Sequence, residues 1–125
     1  MNYTCRVISG KGRGKGLGFP TFNLEIPKDF PFEYGVYAAW VWIDNQKYMG
    51  AMHFGPIPTF QEQDPTFEVY VLDYEDEKDV AELVCEPVKF LRKIEQFSSP
   101  EALSKQITVD VHNVRTALVI TPPSL

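Results

Sequence analysis

The stretch Val36-Tyr37-Ala38-Ala39-Trp40-Val41-Trp42-Ile43, then Asp44-Asn45, then Lys47-Tyr48-Met49-Gly50-Ala51-Met52-His53-Phe54, decides the fold. The first run is rich in β-branched and aromatic residues, which suit a packed, pleated surface, and Gly35 bounds it. Asp and Asn tolerate the left-handed backbone that a tight hairpin turn requires. The sequence therefore predicts a hairpin pairing Val36–Ile43 with Lys47–Phe54.

Outward from the hairpin the strand pattern continues. Cys5–Ile8 and Thr21–Ile26 precede it, the second beginning just after Pro20, while Phe67–Tyr74 and Leu83–Leu91 follow. Pro87 has no N–H to give to a ladder and predicts an edge or a bulge in the last strand. The period then changes. Ser98-Ser99-Pro100-Glu101 offers cap residues, a proline suited to a first helical turn and a Ser-x-x-Glu capping-box spacing. Leu103, Ile107, Val111, Val114 and Leu118 recur at steps of three and four, predicting one helix over about 99–117, with 121–125 as a short Pro-rich tail. Antiparallel strands followed by a lone helix predict a mainly β fold, a small Greek-key barrel with the helix packed outside.

A chain of 125 residues supports one core rather than two, so 1–125 reads as a single domain. No apolar run reaches membrane-spanning length and no apolar segment follows Met1–Arg6, which predicts a soluble protein with neither membrane partner nor signal peptide. Cys5 and Cys85 lie in strand-like stretches and read as reduced core residues, which favours the cytoplasm. The net charge of −5 speaks against a nucleic-acid partner. The charge is uneven, however. Residues 1–28 carry Arg6, Lys11, Arg13, Lys15 and Lys28 against Glu25 alone, whereas 62–86 is strongly acidic, with 73–79 reading as a solvated turn. A local basic segment on an acidic protein fits a small anionic ligand.

That segment is Gly10-Lys11-Gly12-Arg13-Gly14-Lys15-Gly16-Leu17-Gly18-Phe19-Pro20-Thr21-Phe22-Asn23. Glycines let a backbone approach a ligand closely, and converging N–H groups with added cations suit an anion. Neither G-x-G-x-x-G before a helix nor G-x-x-x-x-G-K-[ST] is present, and Pro20 opposes a helix directly after the glycines. A solvated loop and a phosphate loop on a β scaffold both remain open on glycine count alone. Strand parity adds to the second reading. Thr21 and Asn23 share one face of an extended segment, putting two hard oxygens where Mg²⁺ would suit them, while Phe22 and Leu24 face apolar packing. In the strand 67–74, Phe67, Val69 and Val71 face the core, and Glu68, Tyr70 and Leu72 the other side. Glu68 is then a carboxylate on a rigid strand, a suitable place for a general base as well as an ordinary position for an exposed acid. Trp40 and Trp42 read as core or barrel surface rather than ligand-stacking groups, and His53 and His112 as ordinary histidines without metal-ligand companions.

Taken together, these residues resemble the riboflavin kinase (flavokinase) family, the ATP:riboflavin 5′-phosphotransferases, from about Arg6 to Arg115. The matching pieces are Gly10-x-Gly12-Arg13-Gly14, Leu17-Gly18-Phe19-Pro20-Thr21-x-Asn23-Leu24, Gly35-Val36-Tyr37-Ala38 and the Gly-x-x-Pro-Thr-Phe run at 55–60. Glu68-Val69-x-Val71-Leu72-Asp73, Leu91-Arg92 with Phe97, and Gln106-Ile107-x-x-Asp110 complete them.

The resemblance implies a six-stranded antiparallel Greek-key barrel with a C-terminal helix, and transfer of the ATP γ-phosphoryl group to riboflavin to give FMN and ADP. By position it implies that Gly10, Gly12, Arg13, Gly14 and Lys15 cover the ATP phosphates, and that Thr21 and Asn23 bind ATP and ligate Mg²⁺. Glu68 becomes the catalytic base, and Arg92, Glu95 and Phe97 help close over the flavin. The chain is expected to act as a monomer. It departs from the family where Phe22 replaces the Ala of Pro-Thr-Ala-Asn, where Val80-Ala81 replaces Tyr-Gly, and where Ile94 replaces an acidic residue. These departures motivate an alternative reading, a non-catalytic flavin- or nucleotide-binding regulatory module derived from the same fold.

Overall fold

A computed structural model of the chain describes residues 1–8, 19, 21–59, 63–75 and 79–120, and the backbone of Phe60. The strands are β1 (Tyr3–Ile8), β2 (Phe22–Leu24), β3 (Gly35–Ile43), β4 (Gln46–Gly55), β5 (Thr66–Val71) and β6 (Glu82–Arg92). A short 3₁₀ turn, Pro58–Phe60, lies between β4 and β5, and the helix α1 spans Pro100–Val119. The strands close into a barrel in the order β1-β2-β5-β4-β3-β6, antiparallel throughout. The β3–β4–β5 meander with β2 returning beside β5 is a Greek key. The expected mainly β, six-stranded barrel with an outer helix is therefore the observed architecture.

The central hairpin pairs Gly35 with Phe54 through to Ile43 with Gln46. Its turn places Asp44 and Asn45 at φ of 51° and 67°, the left-handed pair whose twist matches two antiparallel strands. β3 is buried on both faces, which explains its unbroken apolar character. Tyr37, Ala39, Val41 and Ile43 point into the barrel with Phe67, Val69, Val71 and Met52. Ala38 and Trp40 point outwards, where Leu72 and the helix residues Val114, Ala117 and Leu118 cover them. Both cysteines are free thiols inside the barrel, and burial pushes Cys5 up to about 11.

The end of β5 and the start of the helix differ from expectation for local reasons, β2 is shorter than expected at Phe22–Leu24, and the bulge expected at Pro87 is present. β5 ends at Val71 rather than Tyr74, because Asp73 turns the chain with φ 60° and Leu72 swings under the helix. β6 carries a bulge: Ala39 opposes Pro87 whereas Ala38 opposes Lys89, which leaves Val88 extra beside the proline. Pro87 also lies beyond the β1 pairing, which covers Glu82–Cys85 only, so its missing N–H disturbs no ladder on that side. At the helix start, Ser99 rather than Ser98 is the cap, its Oγ accepting the Ala102 N–H at 3.1 Å with Pro100 in the first turn. Ala102 thus occupies the third helical position and the Ser98-x-x-Glu101 spacing is not used as a capping box.

Candidate active site

The barrel register lines up one row of residues across five strands. Arg92 on β6 opposes Val36 on β3, Val36 opposes His53 on β4, His53 opposes Glu68 on β5, and Glu68 opposes Asn23 on β2. Directly opposed residues in antiparallel strands share a face, with Cβ atoms about 5 Å apart. The row therefore brings together residues up to 69 positions apart, from Asn23 to Arg92, and its Arg92 end meets α1 at Asp110. All of the row except Asn23, from Arg92 to Glu68, forms the floor of a cleft between barrel and helix. Leu103, Ile107 and Asp110 of the helix form one wall, and Phe19, Thr21 and Tyr70 another. The segment after β4 and the segment after β6 complete it with Thr59, Ile94, Glu95 and Phe97. Gly55, at φ 131°, makes the bend that carries the chain from β4 into that rim.

Thr21 and Glu68 meet, and Asn23 is paired with Glu68 across the two strands. The Thr21 hydroxyl donates to Glu68 Oε1 at 3.2 Å, spanning two strands. Thr66 holds the other oxygen, its hydroxyl lying 3.3 Å from Glu68 Oε2 and 3.2 Å from the Gly55 carbonyl. One hydroxyl on each carboxylate oxygen fixes the plane of the acid. Thr21 spends its proton on Glu68 and keeps its lone pairs, so it can still offer an oxygen to a cation. Asn23 stands directly across from Glu68 but does not line the cleft; it lies one strand further out. No cluster of three or more His, Cys, Asp or Glu suited to a metal occurs among the described residues. The Thr21 and Asn23 side-chain oxygens with the adjacent carboxylate instead fit a hard cation that takes its remaining ligands from phosphate and water.

Phe22 points the other way, as parity predicts. It packs against the barrel interior with its ring centroid 5.7 Å from that of Tyr74. Val80 likewise packs on the interior, whereas Ile94 lines the cleft. The residues expected to cover the ATP phosphates, Gly10, Gly12, Arg13, Gly14 and Lys15, lie outside the described residues. Their flanks are at the site: β1 ends at Ile8 opposite Asn23, and Phe19 sets its ring edge-on to Tyr70 at 5.4 Å.

Arg92 is held by the helix. Its Nε and Nη2 donate to Asp110 at 2.9 and 2.8 Å, and Gln106 Nε2 adds a third bond to Asp110 Oδ1 at 3.1 Å. The remaining Nη1 donates to the Lys93 carbonyl at 3.2 Å, and the guanidinium lies 5.6 Å from the centre of the Phe97 ring. Phe97 is fixed in turn by its N–H donating to Thr59 Oγ1 at 3.0 Å. Arg92, Glu95 and Phe97 all border the cleft, but Arg92 has its edge taken up by Asp110 and joins helix to barrel.

Asp110 and His53 are the cleft residues that sequence reasoning passed over as functional positions. For Asp110 a signal existed. It falls between Ile107 and Val114 on the apolar stripe, and an acid on a buried stripe announces a partner. For His53 half the signal existed. A two-residue turn at Asp44-Asn45 fixes His53 opposite Val36, but the irregular 56–65 connection hides its pairing with Glu68.

The family model described as Flavokinase: Riboflavin kinase matches residues 1–118. The chain is 31% identical over 106 residues to the RNA-binding riboflavin kinase RibR of Bacillus subtilis (strain 168), covering 84% of this chain and 46% of that protein. It is 32% identical over 117 residues to the bifunctional riboflavin kinase/FMN adenylyltransferase of Listeria monocytogenes, covering 90% of this chain and 37% of that protein. The chain thus spans less than half the length of these curated relatives. Among solved structures, riboflavin kinase from Trypanosoma brucei shares the fold with a TM-score of 0.66 at 24% identity, over 96% of this chain and 80% of that one. A Streptococcus pneumoniae protein described as a macrolide-efflux protein aligns with a TM-score of 0.79 at 27% identity, over 91% of this chain and 38% of that one. The barrel, the row of site residues and the match across residues 1–118 agree: the chain belongs to the riboflavin kinase (flavokinase) family.

Proposed function

We propose that this chain transfers the γ-phosphoryl group of ATP to the 5′-hydroxyl of riboflavin, giving FMN and ADP. The observation that carries the reading is the Thr21–Glu68 hydrogen bond with Asn23 set opposite Glu68 across β2 and β5. It puts a fixed carboxylate beside two neutral oxygen donors at the edge of a largely apolar cleft. Glu68 takes the proton from the 5′-hydroxyl as that oxygen forms its bond to γ-phosphorus and the bond to the ADP oxygen breaks. Thr21 and Asn23 would hold Mg²⁺, whose charge, when bound, offsets that of the transferring phosphoryl group. The apolar walls from Phe19, Ile94, Phe97, Leu103 and Ile107 suit a flat heterocycle, and closure around it excludes competing water.

Incubation with riboflavin, ATP and Mg²⁺ followed by chromatography of the flavins tests the reading; no FMN above a no-enzyme control would reject it. Glu68→Gln is expected to lower kcat by about 10²–10⁴-fold, the range of a lost general base. Asn23→Ala is expected to raise the Mg²⁺ concentration needed for half-maximal rate, and chelation of the metal to abolish turnover in the unmodified protein. Turnover indifferent to both substitutions would show that the roles are misassigned. A second reading, flavin binding without turnover, draws on Ile94, an apolar residue lining the cleft where the family carries an acid. Steady multiple turnover excludes it. The net charge of −5 favours these small ligands over the RNA named for the Bacillus relative, and the two reduced, buried thiols favour action in the cytoplasm.

A further inference from the structure

His53 is a polar group in the cleft that the proposed phosphoryl transfer leaves without a task. It stands on β4 between Val36 and Glu68, and it lines the same cleft as the carboxylate. Its Nδ1 is buried and makes no hydrogen bond to a described residue. The backbone carbonyls of His53 and Pro56 lie near the ring and favour an N–H there, without forming a well-shaped bond. In a neutral imidazole, a proton drawn to one nitrogen leaves the other as an acceptor. With its proton turned toward those carbonyls, the partly buried ring leaves its other nitrogen as an acceptor in a cleft lined by Val36, Ala51, Ile57 and Glu68, where a ligand hydroxyl can fill it. The ligand in question carries hydroxyl donors along a polyol chain whose terminal oxygen must reach Glu68. Adjacent strands lie about 4.8 Å apart, close to the span between hydroxyls a carbon or two apart on such a chain.

We propose that His53 is a specificity-determining residue, its ring accepting a hydrogen bond from an inner hydroxyl of the acceptor's polyol chain while neighbouring Glu68 holds the terminal one. The inference rests on the kinase reading for the identity of the acceptor. The test compares riboflavin with lumiflavin, which has the same ring system and a methyl group in place of the polyol chain. Dissociation constants are read from flavin fluorescence for the unmodified protein, His53→Leu and His53→Gln, with circular dichroism as a check of folding and His53→Ala as replacement if the leucine variant unfolds.

The expected result is that His53→Leu weakens riboflavin about fivefold, the yield of one neutral hydrogen bond, and leaves lumiflavin unchanged. His53→Gln, which keeps an acceptor, recovers most of the loss. Equal weakening of both flavins would mean that His53 only shapes the cleft, and no change in either would mean that it touches neither; each overturns the proposal. An unmodified protein that does not prefer riboflavin to lumiflavin overturns it as well. FMN formation by the unmodified protein is scored separately, so binding without turnover rejects the kinase reading while the comparison of binding constants still decides the role of His53.

Discussion

The His53 imidazole is pushed down to about 4 from its ordinary 6.5, by burial first and then by the Arg92 charge, against the weaker pull of nearby carbonyls and Asp110. The folded protein keeps the ring neutral where the unfolded chain takes up a proton. The unfolded state therefore binds more protons between pH 6.5 and 4, and stability falls as pH drops through that window. The full effect is on the order of 3 kcal/mol. Urea unfolding of the native protein and of His53→Leu at pH 7 and at pH 4.5 isolates it from the carboxylates that titrate in the same range. The native protein is expected to lose more stability than the variant on acidification; parallel losses would place the ring in a more solvated setting. At this scale the sequence was most readable where parity sufficed. Thr21, Phe22, Asn23 and Glu68 all face the sides that alternation assigns them. His53 was not readable, because its significance comes from a neighbour on another strand and from a helix laid over both.

Among the elements, α1 has two jobs divided along its length. Val114, Ala117 and Leu118 seal the outer face of β3, while Leu103, Ile107 and Asp110 wall the cleft. The Arg92–Asp110 pair stands at the junction, with the side chains 15% and 4% exposed, so removal of one partner strands a largely desolvated charge. Asp110→Asn is expected to cost about 3 kcal/mol in denaturant unfolding. The double variant Arg92→Met/Asp110→Leu should cost less than the sum of its single substitutions. Additivity of the two would mean that the pair contributes nothing as a unit. The helix was legible because its apolar repeat is long, and the hairpin because Asp44-Asn45 permits few turn geometries. The barrel was legible as an architecture from the strand pattern, but the pairing that closes it on the β2 side was not. β2 contributes only Phe22–Leu24 to the sheet, and its pairing with β5 crosses more than forty residues. The helix start was off by one position because Ser98 and Ser99 are chemically equivalent caps, and only the path of the chain out of the Phe97–Thr59 contact selects between them.

For the molecule as a whole, the placement of the cleft decides how ligand binding and folding are linked. The cleft between α1 and the barrel is lined by β3, β4, β5, β6 and the helix, so unfolding of any of these elements disrupts a ligand seated there. Such a ligand stabilises the native state by RT ln(1 + [L]/Kd), about 2.7 kcal/mol at a hundredfold excess over Kd. For a domain of this size the corresponding rise in Tm is on the order of 10 °C. Riboflavin is expected to produce that rise in a single transition, because the helix and barrel share one buried layer through Ala38, Trp40 and Val114. Trp40 reports on this layer, so tryptophan emission and far-ultraviolet circular dichroism should shift together. In Asp110→Asn the baseline Tm should fall, and the riboflavin-induced rise should shrink with it if the flavin rests, as proposed, against the helix wall that this contact holds. A lowered baseline with an undiminished rise would show that the helix wall contributes to stability alone, and that the flavin is held by the barrel face.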